Sequence, residues 1–159
     1  FFVCGDIRNL PFKSNVFDYM YGPGTIEHFE DTNSAIKDLY RCLKKGGVLT
    51  ATVPFISLST PYWMFYGNIP DIWGIKHVTT FIHSKIFKGR LQPFGYEKSF
   101  TEGKLRSLFK KRGFRNIKFG LLDTYYQIKI TDNEFLKNIL RRVARSRIFW
   151  PFVYINGKK

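Results

Sequence analysis

Residues 4–55 limit what this chain can fold into more than any other stretch. They read in order as strand end, acidic turn, strand, helix, paired glycines, strand. Residues 1–4 are an apolar run closing on Gly5 and Asp6, the pattern of a buried parallel strand. A loop at 9–15 leads to a second apolar run at 16–21, which stops at Gly22, Pro23 and Gly24. Such residues end a strand and let the backbone come close to a ligand. Asp31, Thr32 and Asn33 can cap a helix expected to run to about Lys45, with Ile36, Leu39, Tyr40 and Leu43 at helical spacing. Lys44 and Lys45 would complement the dipole of its last turn, and Gly46 would stop it. Residues 48–53 then read as a strand ended by Pro54. Strand, helix and strand of these lengths predict a right-handed crossover between parallel neighbours. Sheets of this kind bind ligands beyond the carboxyl ends of their strands. Those ends carry Asp6, Gly22 and Pro54.

The rest of the chain is less regular. Residues 56–99 are rich in aromatics, and a loop that long predicts a lid or a small helical subdomain. Thr101 can cap a helix to Arg112 with Leu105, Leu108 and Phe109 inward, and a strand is expected at 114–119. Residues 133–147 read as a basic amphipathic helix. Leu136, Ile139, Leu140 and Val143 line one face, and Lys137, Arg141 and Arg145 line another. A last strand is expected at 152–155.

Charge is spread unevenly. Residues 1–60 hold 6 Lys/Arg and 6 Asp/Glu, so the net +14 lies wholly in residues 61–159. Such asymmetry suits an anionic partner, a membrane surface first and nucleic acid less so, although basic residues on solvated faces give the same count. Cys4 and Cys42 are far apart and form no C-x-x-C pair, so no metal site or disulfide framework is expected, and reduced thiols suit a cytoplasmic protein. No apolar run reaches the ~18 residues of a membrane span. The chain starts at Phe1, not Met, inside what reads as a strand, and is taken as the later part of a longer protein.

Several motifs stand in a telling order. The turn after the first strand has the form G-D-x-x-x-L-P-F, in Gly5, Asp6, Leu10, Pro11 and Phe12. Phe17 and Asp18 open the next strand, and Glu27 and His28 follow it. Leu43, Lys44, Gly46 and Gly47 form L-K-x-G-G before a strand closing on Val53 and Pro54. Thr101, Glu102, Leu105, Leu108, Phe109, Gly113 and Phe114 make a fourth match. Together these resemble the second half of a class I S-adenosylmethionine-dependent methyltransferase. The likeness covers most of 3–55 and 100–120; residues 56–99 and the basic tail match nothing in that pattern.

That resemblance implies an α/β fold: an incomplete Rossmann-like open sheet, mostly parallel, with helices on both faces and an irregular aromatic-rich insertion. It implies one partial methyltransferase domain over 1–159, with the cofactor half at 1–55, the insertion or lid at 56–99 and helix–strand elements after 100. It implies S-adenosylmethionine as cofactor, with the Asp6 carboxylate accepting from the adenine amino group and the Ile7 amide meeting a ring nitrogen. Gly22 and Pro23 would lie near the methionine end. The Pro23 and Gly24 pair departs from the family's usual run there. The family's glycine-rich first loop and its ribose-binding acid are absent from these residues, so the piece alone is expected to bind cofactor weakly and to be inactive.

Methyl transfer from a sulfonium depends mainly on positioning, and a base is needed only to strip an oxygen or nitrogen acceptor. His28 and Glu27 are the candidate catalytic residues at the sheet mouth, Glu27 as the group that orients a base. Tyr96 and His77 are candidate substrate contacts; His83 is a further histidine without metal spacing. An aromatic lid favours a small apolar or planar acceptor. Two other readings compete. One is a non-catalytic basic module that binds an anionic membrane or nucleic acid. The other is a nicotinamide enzyme on the same sheet type, against which the turn at 5–12 and the Glu27, His28 pair both speak.

Overall fold

A computed structural model describes residues 2–60, 68–70, 78, 81, 85, 97–122, 133–144 and 146–159. Its main sheet has four strands: β1 (Phe17–Pro23), β2 (Leu43–Pro54), β5 (Arg115–Leu121) and β6 (Phe152–Lys158), in the order β1-β2-β6-β5. Two short strands, β3 (Asn68–Pro70) and β4 (Glu97–Ser99), pair in parallel beside it. The helices are α1 (Thr32–Cys42), α2 (Glu102–Lys111) and α3 (Glu134–Ala144).

β1 and β2 are parallel neighbours joined through α1, as the strand–helix–strand pattern predicts. The other half of the sheet departs from the mostly parallel expectation. β6 runs antiparallel to both β2 and β5, so the sheet is mixed. The reason is connectivity: β6 enters opposite Pro54, at the end of β2, and travels back towards Val48.

Alternation along the strands sets the core. Leu49, Ala51 and Val53 of β2 and Val153 and Ile155 of β6 point to one face and are buried there. Ile36 and Leu39 of α1 and Leu105 and Phe109 of α2 join them in one cluster. The period of 2 on the strands thus meets the 3.6-residue stripe on the helices. Gly157 on this face lets Phe109 and Phe114 close in; a Cβ there would stand 2.8 Å from a Phe109 ring atom. Tyr19 and Tyr21 lie on the other face of β1 and are exposed, with Tyr19 Oη donating to Thr50 Oγ1 at 3.0 Å.

Local chemistry explains the helix starts. The Asp31 carboxylate accepts from Ser34 N at 3.1 Å, and Thr101 Oγ1 accepts from Lys104 N at 3.2 Å. The end of α1 is shorter than expected. The helix stops at Cys42, and residues 44–47 bulge out of β2 between the paired positions Phe17↔Leu43 and Tyr19↔Val48. Gly46 takes φ +84°, and a Cβ on Gly47 would stand 2.9–3.1 Å from the carbonyl oxygens of Lys44, Phe17 and Asp18. The glycine pair therefore builds a bulge and not a helix stop. Lys44 turns away to Asp18 at 2.7 Å. The cation at the end of α1 is Lys159, whose Nζ donates to the carbonyls of Tyr40, Arg41 and Leu43 at 2.8, 3.3 and 2.7 Å.

Three other boundaries moved. Residues 2–4, expected in a strand, lie outside any, with Phe2 and Val3 exposed; no described strand lies beside them to complete a ladder. The basic helix ends at Ala144, followed by a 3-10 turn at Arg147–Phe149. The last strand runs on to Lys158, three residues past Ile155, because both its edges are paired.

Candidate active site

The carboxyl ends of β1 and β2 form a rim. From β1 the chain passes through Gly24, held at φ +59° with its N–H donating to Thr52 O at 3.1 Å, into a 3-10 turn at Ile26–His28. The end of β2 is stitched to the strand that precedes α2: Phe100 N donates to Pro54 O at 2.9 Å, and Ile56 N to Phe100 O at 2.8 Å. Lys98 of β4, almost wholly buried, reaches Thr32 Oγ1 at 2.6 Å and Glu30 O at 3.0 Å. Its neighbour Glu97 is thereby set close to Glu27 and His28.

Glu27 is the chemically unusual residue here. It is 2% exposed, and its Oε2 has no hydrogen-bond partner among the described residues. A buried carboxylate with one oxygen left unpaired is costly, so the proton is held instead. Burial, helped by the negative charge of Glu97 and opposed by the backbone N–H groups of Glu27 and Thr25, pushes its pKa up to about 8. Burial raises Glu97 as well, against the pull of His28. A carboxyl that titrates near neutral pH can donate a hydrogen bond or take a proton, as conditions require.

The acidic turn at 5–12 lies beside this rim. Gly5 is required by space, since a Cβ would stand 2.8 Å from Pro11 Cδ. The far end of the turn is clamped to α1 by one ion pair. Asp38 Oδ2 accepts from Leu10 N at 2.6 Å, while Arg41 donates to Phe12 O at 2.6 Å and to Leu10 O at 3.0 Å, and the two side chains pair at 2.6 Å. Asp6 stays open to solvent, with 44% of its side chain exposed. The Arg8 side chain donates to both carboxylate oxygens, at 3.0 Å to Oδ1 and 2.6 Å to Oδ2, and holds the pKa down at about 2. Arg8 lies over the Phe29 ring, one residue past His28, which ties the turn to the mouth of β1. The Ile7 backbone N–H has no acceptor among the described residues. An ionised acceptor thus sits beside an open donor, the complement of an adenine edge.

The structure brings Gly22, Pro23, Glu27 and His28 to one rim, and the turn with Asp6 and Ile7 meets it through Arg8 over Phe29. Tyr96, His77 and His83 fall outside the described residues. Sequence reasoning missed Glu97, Lys98, Asp38 and Arg41. For the last two a signal existed, a carboxylate and a guanidinium three apart on one helix face. For Glu97 and Lys98 the only signal was charge inside an aromatic-rich stretch just before a helix cap.

A protein family described as a methyltransferase domain matches residues 1–51. Over 98% of its length the chain superposes on a SAM-dependent methyltransferase from Thermotoga maritima, with TM-score 0.55, 22% identity and 62% of that chain covered. Residues 1–51 thus match a methyltransferase domain, and the chain has the fold of SAM-dependent methyltransferases. A phosphoethanolamine N-methyltransferase 2 from Haemonchus contortus, solved with S-adenosylhomocysteine, has the same fold at TM-score 0.53 and 20% identity, with 97% of this chain and 36% of that one covered. Among curated relatives, a demethylmenaquinone methyltransferase of Lactiplantibacillus plantarum is 28% identical over 123 residues, 72% of this chain and 48% of the relative. A chloroplastic 2-methyl-6-phytyl-1,4-hydroquinone methyltransferase of rice (Oryza sativa subsp. japonica) is 28% identical over 114 residues, 72% of this chain and 25% of the relative. The chain spans half or less of the length of these curated relatives.

Proposed function

We propose that this chain carries the adenine-binding and acceptor-facing part of an S-adenosylmethionine-dependent methyltransferase acting on a small apolar ring, of the quinol class. One observation carries the cofactor half: the Asp6 carboxylate and the open Ile7 N–H stand side by side on a turn clamped to α1. When bound, the cofactor supplies a methyl group made electrophilic by its sulfonium. The residues fit it. Asp6 and Ile7 would hold the adenine edge, with Arg8 sharing the carboxylate, and Gly22 and Pro23 would border the methionine end.

Glu27 is the group that would handle the acceptor's proton. A quinol hydroxyl must lose its proton as the ring attacks, and a buried carboxyl titrating near neutrality is matched to that task. His28, next in the chain, would hold the acceptor's polar end. The acceptor class comes from the relatives, which are named as quinone and hydroquinone methyltransferases. The reading as a non-catalytic basic module finds no such support.

The test uses the longer protein that the sequence predicts, with this chain as its later part: isothermal calorimetry of S-adenosylmethionine, paired with methylation of a soluble short-chain demethylmenaquinol. Asp6→Ala is expected to weaken cofactor binding roughly tenfold or more, the usual loss for a hydrogen bond to a charged group. Glu27→Gln is expected to leave binding intact and to abolish the rise of kcat between about pH 7 and pH 9. Unchanged cofactor affinity in Asp6→Ala would overturn the reading.

A further inference from the structure

We propose that α3 is a docking surface for an anionic lipid bilayer, inserting its apolar stripe at headgroup depth with its basic side along the lipid phosphates. A surface helix of a globular domain ordinarily turns its apolar stripe inward. α1 does so, burying Ala35, Ile36, Leu39 and Cys42. α3 does the reverse. Phe135, Leu136, Ile139 and Val143 fall on one half of the helix and are exposed, Phe135 at 72%. Lys137 falls on the opposite half, and Arg142, one turn on from Ile139 and two from Phe135, flanks the apolar stripe. Residues 133–147 hold five Lys/Arg and one Glu, so the segment is both apolar and cationic. That pairing is what an interfacial helix needs, and the apolar half is what a purely phosphate-binding nucleic-acid surface would not need.

The stripe does not stand alone. Past α3, Ile148 is exposed, and its carbonyl accepts from the N–H of Leu58, itself exposed, at 2.8 Å. Arg147 lies between them in sequence and α3, pairing with Glu102 and stacking on Trp150. This segment leads into Phe152, which pairs with Pro54 at the carboxyl end of β2. Docking through α3 would set the lipid on the side of this connection, near the carboxyl end of β2. A lipid-tailed acceptor could then present its ring without leaving the bilayer. That last step rests on the proposed function; binding of the bilayer by α3 does not.

Sedimentation of the chain with vesicles tests the proposal. The probes are phosphatidylcholine alone and phosphatidylcholine mixed with phosphatidylglycerol, each at low and high salt. The chain is expected to sediment with the mixed vesicles, to bind the neutral ones more weakly, and to lose the difference in high salt. Arg142→Glu is expected to weaken binding to mixed vesicles roughly tenfold and leave neutral ones unchanged. Ile139→Asp combined with Val143→Asp is expected to abolish both. All three side chains are exposed, so an unchanged melting temperature verifies that each variant is folded. No sedimentation with either vesicle, or full sedimentation of the double variant, overturns the proposal. So does a wild-type dimer that the double variant splits without any vesicle binding, which would give the face to a second copy. Asp6→Ala reads the cofactor proposal separately and is expected to leave vesicle binding untouched.

Discussion

Glu27 holds a proton that its surroundings keep in place. In an unfolded chain the carboxyl titrates near its ordinary value of ~4.3, while in the fold it titrates at about 8. Between those values the native state keeps a proton the unfolded chain has lost. Stability therefore falls as pH rises through that window and levels off above it. Glu27→Gln cannot ionise, so calorimetry should find its melting temperature close to the parent's at pH 5 and above it at pH 9. A variant that tracks the parent at both values would mean the carboxyl is ionised and solvated. The residues on this rim were legible to unequal degrees. Gly22 and Pro23 could be placed because they close a strand, and Asp6 because it lies in a short motif, although no described strand leads into it. Glu97 could not, since it meets Glu27 across 70 residues of chain.

Among the elements, β2 shows how a correct local signal can serve an unexpected structure. Gly46 does need a left-handed conformation, at φ +84°, but it spends that freedom in a bulge. Gly47 is tighter still, with backbone oxygens at 2.9–3.1 Å from any added Cβ. Gly47→Ala should cost about 2 kcal/mol or more by denaturant titration, because backbone cannot step aside as a side chain can. Thr101→Ala should cost about 1 kcal/mol through loss of its cap to Lys104 N. Lys159→Ala removes the cation from three carbonyls at the end of α1 and should cost about 1–3 kcal/mol. The caps on α1 and α2 could be read because their partners lie three residues away. The role of Lys159 could not, because its partners lie more than a hundred residues earlier.

At the scale of the molecule, the parallel half of the sheet was legible and the antiparallel half was not. The run from 16 to 54 announces a parallel pair because strand, helix and strand follow one another directly. Nothing local in 152–158 says that this segment enters between two earlier strands. Its insertion makes β6 the only described strand between β5 and the β1–β2 pair. Deleting 152–159 should therefore abolish the cooperative unfolding transition altogether, read by near-ultraviolet circular dichroism. No helix among the described residues is long and apolar enough to cross a membrane.

The late position of β6 has a kinetic meaning. While the polypeptide emerges from the ribosome, β1, β2 and β5 are all made before the segment that bridges them. For that interval the nascent chain exposes the open edges of β2 and β5 and the Val53 and Phe109 side chains they cover. Vectorial synthesis thus leaves a window in which a chaperone, or a wrong strand, can take the place reserved for residues 152–158.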